Sequence, residues 1–198
     1  MKNKIKHFLN INELKRSDIF KIIKKSHDLK SYYGETKLKK KMILAMIFEK
    51  PSTRTRVAFE VGMKQLGGDV VVLDQGETQL GRGESLEDTI QVLSRYVDLI
   101  MYRGSNENTL YEMAGHSSIP IINGLTDKSH PCQILADIMT LEERFNSTDG
   151  IEICWVGDGN NVCNSWVHAC SHFDFNLNIS CPKSELNLII LNEKHNNK

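Results

Sequence analysis

A chain of 198 residues with 25 basic against 25 acidic side chains has no net charge, so no global field points to nucleic acid or an anionic membrane as partner. No apolar stretch reaches the roughly 20 residues of a membrane span, and the basic start lacks the apolar core and cleavage site of a signal peptide, so a cytoplasmic protein is expected. Five cysteines, at 132, 154, 163, 170 and 181, form no C-x-x-C pair, which argues against a zinc ribbon or disulfide framework and for ordinary reduced thiols.

Along the chain, apolar runs alternate with helical periodicity, the pattern of a parallel sheet covered by helices. A helix is expected over about 12–33, then a basic, solvated approach over 37–41 and a strand over 42–48. A helix over 53–66 stops at Gly67-Gly68. A strand over 70–73, a polar Gly-rich loop over 74–84, a helix over 85–96 and a strand over 99–103 follow. Next come a helix near 106–115, a strand over 119–122 and a helix over 131–145. Four parallel strands with crossovers make residues 1–146 an α/β domain, a parallel sheet flanked by helices. Asn146-Ser-Thr-Asp-Gly150 is turn chemistry and the expected domain boundary. Residues 147–198 offer a buried strand over 151–156, a helix over 164–172 and a second strand over 177–180. That is too little for a core of its own, so the second α/β domain is expected to be incomplete.

The chemistry concentrates at strand ends. Ser52-Thr53-Arg54-Thr55-Arg56 joins a strand to a helix, where free backbone N–H groups, hydroxyls and a guanidinium suit a phosphate. With Ser52 as N-cap, Arg54 and Arg56 diverge around the helix, so Arg54 is the phosphate ligand and Arg56 belongs to a structural ion pair. Taken alone, the motif also fits an ordinary capped helix. His130-Pro131-Cys132-Gln133 opens a second helix with proline at the first position and sets an imidazole and a carboxamide on one face, as donors to a carbonyl oxygen. Arg103 ends its strand at the carboxyl edge, where open α/β sheets bind ligands, so three strand ends converge on one crevice.

Other signals fail. His168 and His172 are four apart but lack a third ligand, so no metal is expected, and a solvated or capping pair is the better reading. Gly157-Asp-Gly159 lacks the third glycine of a dinucleotide fingerprint, and no G-K-[ST] loop is present. The aromatic residues, Tyr32-Tyr33 among them, show no basic interleaving for single-stranded nucleic acid.

Phe48-Glu-Lys-Pro-Ser-Thr-Arg-Thr-Arg56, Gly81-Arg-Gly-Glu-Ser85, Met101-Tyr-Arg103 and Asn123-Gly-Leu-Thr-Asp-Lys-Ser-His-Pro-Cys-Gln133 resemble the aspartate/ornithine carbamoyltransferase family, over essentially residues 5–182. The F-E-K lead-in and the N-G-L-T-D run favour its ornithine branch. The resemblance implies that Ser52, Thr53, Arg54 and Thr55 hold the phosphate of carbamoyl phosphate, and that Arg103, His130, Gln133 and Thr55 contact or polarise its carbonyl. It implies a homotrimer with sites at subunit interfaces, where Gln79 of a neighbouring chain reaches the phosphate. It also implies that Asn164, after the Trp155-Val-Gly-Asp-Gly turn, hydrogen-bonds L-ornithine. Transfer of the carbamoyl group to the δ-amine, giving L-citrulline and phosphate, needs no cofactor and no protein nucleophile.

Family members continue with an aspartate, a serine-methionine pair, an H-C-L-P cysteine and a late arginine for ornithine, none of which has a counterpart here. Cys181-Pro182 lies at a different strand end. A C-terminally truncated chain is therefore expected, with three readings open: the transferase itself, a non-catalytic carbamoyl-phosphate-binding remnant, or a carbamoyltransferase with another amine acceptor. Uncovered apolar segments over 151–156 and 188–191 are expected to lower solubility, with relief on cutting near Thr148.

Overall fold

The computed structural model describes residues 5–32, 37–74 and 84–185. In chain order the elements are α1 (Arg16–Ser31), β1 (Ile43–Phe48), α2 (Thr53–Gln65), β2 (Asp69–Asp74), α3 (Leu86–Tyr96), β3 (Leu99–Arg103), α4 (Glu107–His116), β4 (Ile121–Leu125), α5 (Pro131–Phe145), β5 (Glu152–Val156), α6 (Asn161–Ala169) and β6 (Asn176–Ser180). The expected loop over 74–84, with Gln79 and Gly81, and the apolar run 188–191 lie largely or wholly outside the described residues.

Local chemistry sets the element ends. Gly67, at φ +83°, stops α2 in the left-handed region that glycine enters without a Cβ clash. Ser85 caps α3 by accepting the Asp88 N–H at 3.0 Å, and α5 begins with Pro131 and ends at left-handed Asn146.

The four strands β1 to β4 are parallel, in the order β2-β1-β3-β4. Alternate residues of β1 feed two cores. Leu44, Met46 and Phe48 meet Met101 and the α2 residues Phe59 and Met63 on one face. On the other face, Ala45 and Ile47 join Ile90 of α3 and Leu110 and Met113 of α4. Helices therefore cover both faces, which accounts for the nearly unbroken apolar run of β1. Because the chain leaves β1 towards β2 and returns across it to β3, the switch point lies between β1 and β3, and Phe48 and Arg103 are register partners there.

Three expectations are corrected. The first helix starts at Arg16 rather than near 12, because residues 11–14 form a turn closed by Leu14 N–H on Ile11 O. β4 starts two residues and ends three residues later than expected, running through Asn123 and Gly124, where a Cβ on Gly124 would meet Met101 Sδ at 2.3 Å. α6 starts at Asn161 because the Asn160 side chain accepts the N–H groups of Val162 and Cys163.

The second sheet, β5-β6, is a parallel pair. β5 is half-exposed rather than buried, alternating along its length, and Val156 is 76% exposed. Its inner residues Ile153 and Trp155 join a core of Trp166, Phe173 and Phe175 that also holds Ile19 and Ile23 of α1 and Ile134 and Ile138 of α5. Residues beyond 147 thus cover apolar faces of α1 and α5, which reverses the expected benefit of cutting near Thr148.

A strap of N-terminal residues runs between the two halves. Phe8 pairs with Ile122, and Asn123 Nδ2 donates to Leu9 O at 2.9 Å. His168 Nδ1 lies 2.8 Å from Asn10 Oδ1, and His172 Nε2 lies 3.1 Å from Ile11 O. These two histidines therefore fasten α6 and the segment after it to the strap, and His168 is buried rather than solvated. Among the described residues no cluster of three metal-ligating side chains occurs, and no helix is long and apolar enough to cross a membrane.

Candidate functional site

A cleft of about 650 Å³ opens outside the carboxyl ends of β1, β3 and β4. Ser52, Thr53, Arg54 and Thr55 line one wall, Arg103 the middle, and His130 and Gln133 the opposite wall. Seven residues singled out in the sequence are thereby brought together. Asn164 does not line the cleft, and its Nδ2 donates to Lys128 O at 2.7 Å. Gln79 lies outside the described residues.

The wall from β1 to α2 is built for an anion. Ser52 occupies the N-cap position in extended conformation and makes no side-chain cap bond, so its hydroxyl and the first N–H groups of α2 face the cleft together. No acidic residue stands in the first turn of α2. Arg56 turns away and pairs with Asp74 Oδ2 at 3.1 Å, the divergence expected from the helical spacing of the two arginines.

Arg103 is the central cation. Its Nη1 donates to Thr55 Oγ1 at 2.9 Å, and its Nε is buried with no hydrogen-bond partner. A buried cationic donor without an acceptor is costly unless a ligand supplies one. Burial first, then the charge of Arg54, lowers the Arg103 pKa below the usual guanidinium value. Two guanidiniums lining one cleft, with no ion-pair partner among the described residues, favour a dianion between them. Because Thr55 Oγ1 accepts from Arg103, its own O–H is free to donate into the cleft.

The opposite wall is neutral. Burial, with a smaller contribution from the Arg103 charge, pushes the His130 imidazole down to about 4. Its Nδ1 is buried without a partner. A neutral ring with its proton on Nε2 leaves Nδ1 as a bare lone pair, the cheaper group to bury. Gln133 Nε2 donates one of its two N–H groups to Asp137 Oδ1 at 2.9 Å, which leaves the second N–H and the carboxamide oxygen for a ligand. Burial pushes the Cys132 thiol up to about 12, and its Sγ lies 3.3 Å from Asn123 O, so the thiolate form is disfavoured there.

Sequence reasoning passed over Asp137, Asn161 and Ser165, whose partners are a ligand-facing amide and the backbone of the 126–130 loop. The available signal was the spacing of Asn161, Asn164 and Ser165, short polar residues at i, i+3 and i+4 on one side of α6.

Fold and cleft define an open parallel α/β protein with a cationic, donor-rich crevice at its topological switch point. The chain belongs to the aspartate/ornithine carbamoyltransferase family: residues 6–143 match its carbamoyl-P binding domain and residues 149–197 its Asp/Orn binding domain. It is 47% identical over 182 residues to the ornithine carbamoyltransferase of Nitrobacter winogradskyi, covering 90% of this chain and 59% of that one. To that of Rhodopseudomonas palustris it is 49% identical over 185 residues, covering 91% and 59%. Among solved structures, ornithine carbamoyltransferase from Pyrococcus furiosus matches with a TM-score of 0.86 and 40% identity, over 91% of this chain and 58% of that one. The enzyme from Burkholderia thailandensis matches with a TM-score of 0.87 and 40% identity, over 94% and 67%. The chain spans about three fifths of the length of the two curated relatives.

Proposed function

We propose that the cleft binds carbamoyl phosphate and supports transfer of its carbamoyl group to the δ-amine of L-ornithine, giving L-citrulline and phosphate. The observation that carries this reading is the meeting of two guanidiniums, Arg54 and Arg103, that have no ion-pair partner among the described residues, with a neutral histidine in one crevice at a helix N-terminus. Ser52, Thr53, Arg54, Thr55 and the N–H groups of α2 take the phosphate. The carbonyl oxygen lies towards Arg103, Thr55 and His130, and the Gln133 carboxamide oxygen accepts from the carbamoyl NH2.

The neutral δ-amine attacks the carbamoyl carbon, and the C=O electron pair moves onto oxygen. The oxyanion collapses, the C–O bond to phosphate breaks, and the amine proton leaves with solvent or phosphate. Donors fixed in a dry site before reaction are each worth about 10²- to 10³-fold in rate. His130, neutral at physiological pH because burial disfavours its cation, contributes as a hydrogen-bond donor and not as a charge. Arg54 and the α2 N-terminus stabilise the leaving dianion.

Asn164 is assigned to the ornithine backbone, the boundary between the two domains near residue 146, and Gln79 to the phosphate of a neighbouring site in a homotrimer. The trimer is supported by α2, which has no buried residue, and by exposed Val57, Val61 and, on the edge strand β2, Val71. The free thiols of Cys132, Cys154, Cys163 and Cys181 fit a cytoplasmic location.

A second reading is binding without transfer by these 198 residues. It is favoured by one observation: the anion-facing residues lie between 52 and 133, while the one residue assigned to the acceptor, Asn164, does not line the cleft. Calorimetric titration with carbamoyl phosphate, together with citrulline formation beside an Arg54→Ala control, separates the readings. Binding with turnover establishes the transferase, binding without turnover the second reading, and no binding removes both.

A further inference from the structure

Arg103 ends β3 and is followed by Gly104, a residue with few conformational limits of its own. Glu49, just past the end of β1, holds the peptide groups on both sides of that glycine. Its backbone N–H donates to Arg103 O at 2.9 Å, and its Oε2 accepts the N–H of Ser105 at 3.3 Å. From the β4 side, Leu125 O accepts the N–H of Gly104 at 3.1 Å, and Ser105 O accepts that of Asp127 at 3.1 Å. The turn after Arg103 is thereby tied on one side to Glu49 and on the other to the loop that leads to His130.

Along β3, Arg103 turns into the cleft, and its neighbour Tyr102 turns into the core beneath α3 and α4. Glu49 meets Tyr102 on that far side. A Cβ on Gly104 would run into both the Tyr102 hydroxyl and Glu49 Oε2, so the two groups share the space that glycine leaves. Tyr102 is fully buried, and its hydroxyl makes no hydrogen bond of good geometry. Burial first, then the Glu49 carboxylate beside it, raises the phenol's pKa above the ordinary range, so a neutral O–H stands next to the carboxylate. Lys50, the adjacent cation, pairs with Asp127 Oδ1 at 2.9 Å and leaves Glu49 to the Ser105 N–H.

We propose that Glu49 is a positioning residue for Arg103: from the far face of the sheet its carboxylate holds the Gly104 turn, and with it the place of the guanidinium against the His130 loop. Glu49 does not line the cleft itself. The inference rests on the carbamoyl phosphate reading above, in which Arg103 and His130 face the carbonyl oxygen while Ser52 to Thr55 and the α2 N–H groups take the phosphate. Loosening the turn should therefore weaken carbamoyl phosphate more than inorganic phosphate. Because Glu49 and Ser52 both border the smaller pocket behind the 52–55 turn, inorganic phosphate also serves as the control for damage to that turn.

The test uses the full chain and two ligands, inorganic phosphate and carbamoyl phosphate, titrated against wild type, Glu49→Met and Glu49→Gln, with melting curves to confirm folding. Methionine keeps the length of the side chain and removes the acceptor, whereas the glutamine oxygen can still accept the Ser105 N–H. The expected result is a preference for carbamoyl phosphate over phosphate that falls about fivefold or more in Glu49→Met, the worth of one hydrogen bond, and returns in Glu49→Gln. An unchanged preference in folded Glu49→Met overturns the inference. So does equal weakening of both ligands, which marks a general structural role, and so does a Gln variant as impaired as the Met variant, which marks charge in place of geometry. Should Glu49→Met not fold, Glu49→Ala, at a half-buried position, decides the matter in the same way. A wild type without any preference for carbamoyl phosphate overturns the underlying reading, and the inference with it.

Discussion

The four-stranded sheet is covered on both faces by helices of its own region, whereas the two-stranded sheet packs one face into a core it shares with α1 and α5 and leaves the other open. The first region is cohesive by itself and presents the cleft. Among the described residues the second has no private core, yet it shields Ile19, Ile23, Ile134 and Ile138 and grips the His130 loop. A segment too small to fold alone can still be required by its neighbour, because burial is shared across the seam.

Deleting residues 149–198 puts this contrast under the heaviest load. The shared core then opens, and the melting temperature is expected to fall by about 10 °C or more, with increased dye binding to exposed apolar surface. An unchanged melting temperature would show that the first region needs no cover. Trp166→Ala probes the same seam with one side chain and is expected to cost about 3–5 kcal/mol in denaturant unfolding.

Arg54→Ala tests the cleft instead. Loss of a charge-assisted contact should raise the phosphate dissociation constant about 10- to 100-fold in calorimetry, with little change in melting. His130 supplies a pH signature. Its folded pKa is lowered to about 4 from an ordinary 6.5, so between those values the unfolded chain binds more protons than the folded one. Stability therefore declines as pH falls through that window. Discounted for the ring's partial exposure, the difference between wild type and His130→Asn should narrow by about 1–2 kcal/mol from pH 7 to pH 4, measured by parallel denaturant titrations. The smallest effect is expected of Arg56→Ala. Its exposed pair with Asp74 is worth less than about 1 kcal/mol, and phosphate binding should be nearly unaffected, in contrast to its neighbour Arg54.

Much of the first region was legible because its signals are local. β1 is a continuous apolar run, α5 carries Pro131 at its start and Asn146 at its end, and Gly67 marks the end of α2. The cleft was legible for the same reason, since strand-to-helix junctions and a strand end name their own residues. What was missed is non-local. Asn123 and Gly124 fell outside the expected strand, yet they continue β4, where Phe8, far away in sequence, pairs alongside. The strap, the role of His168 and the Ser165 contact each join residues more than thirty positions apart, which no window of periodicity can register. The alternating exposure of β5 depends on what covers it, and its composition alone could not say.

The strap also sets an order of assembly. Phe8 and Leu9 close onto Ile121, Ile122 and Asn123, and Asn10 and Ile11 onto His168 and His172. As the chain emerges from the ribosome, Asn10 and Ile11 must therefore wait, unfastened, until His168 and His172 have been made. Domains usually settle as they emerge, N-terminal part first. Here an early segment is among the last to be fully fastened, so chains stalled before residue 168 lack the bonds that tie it to α6 and the segment after it.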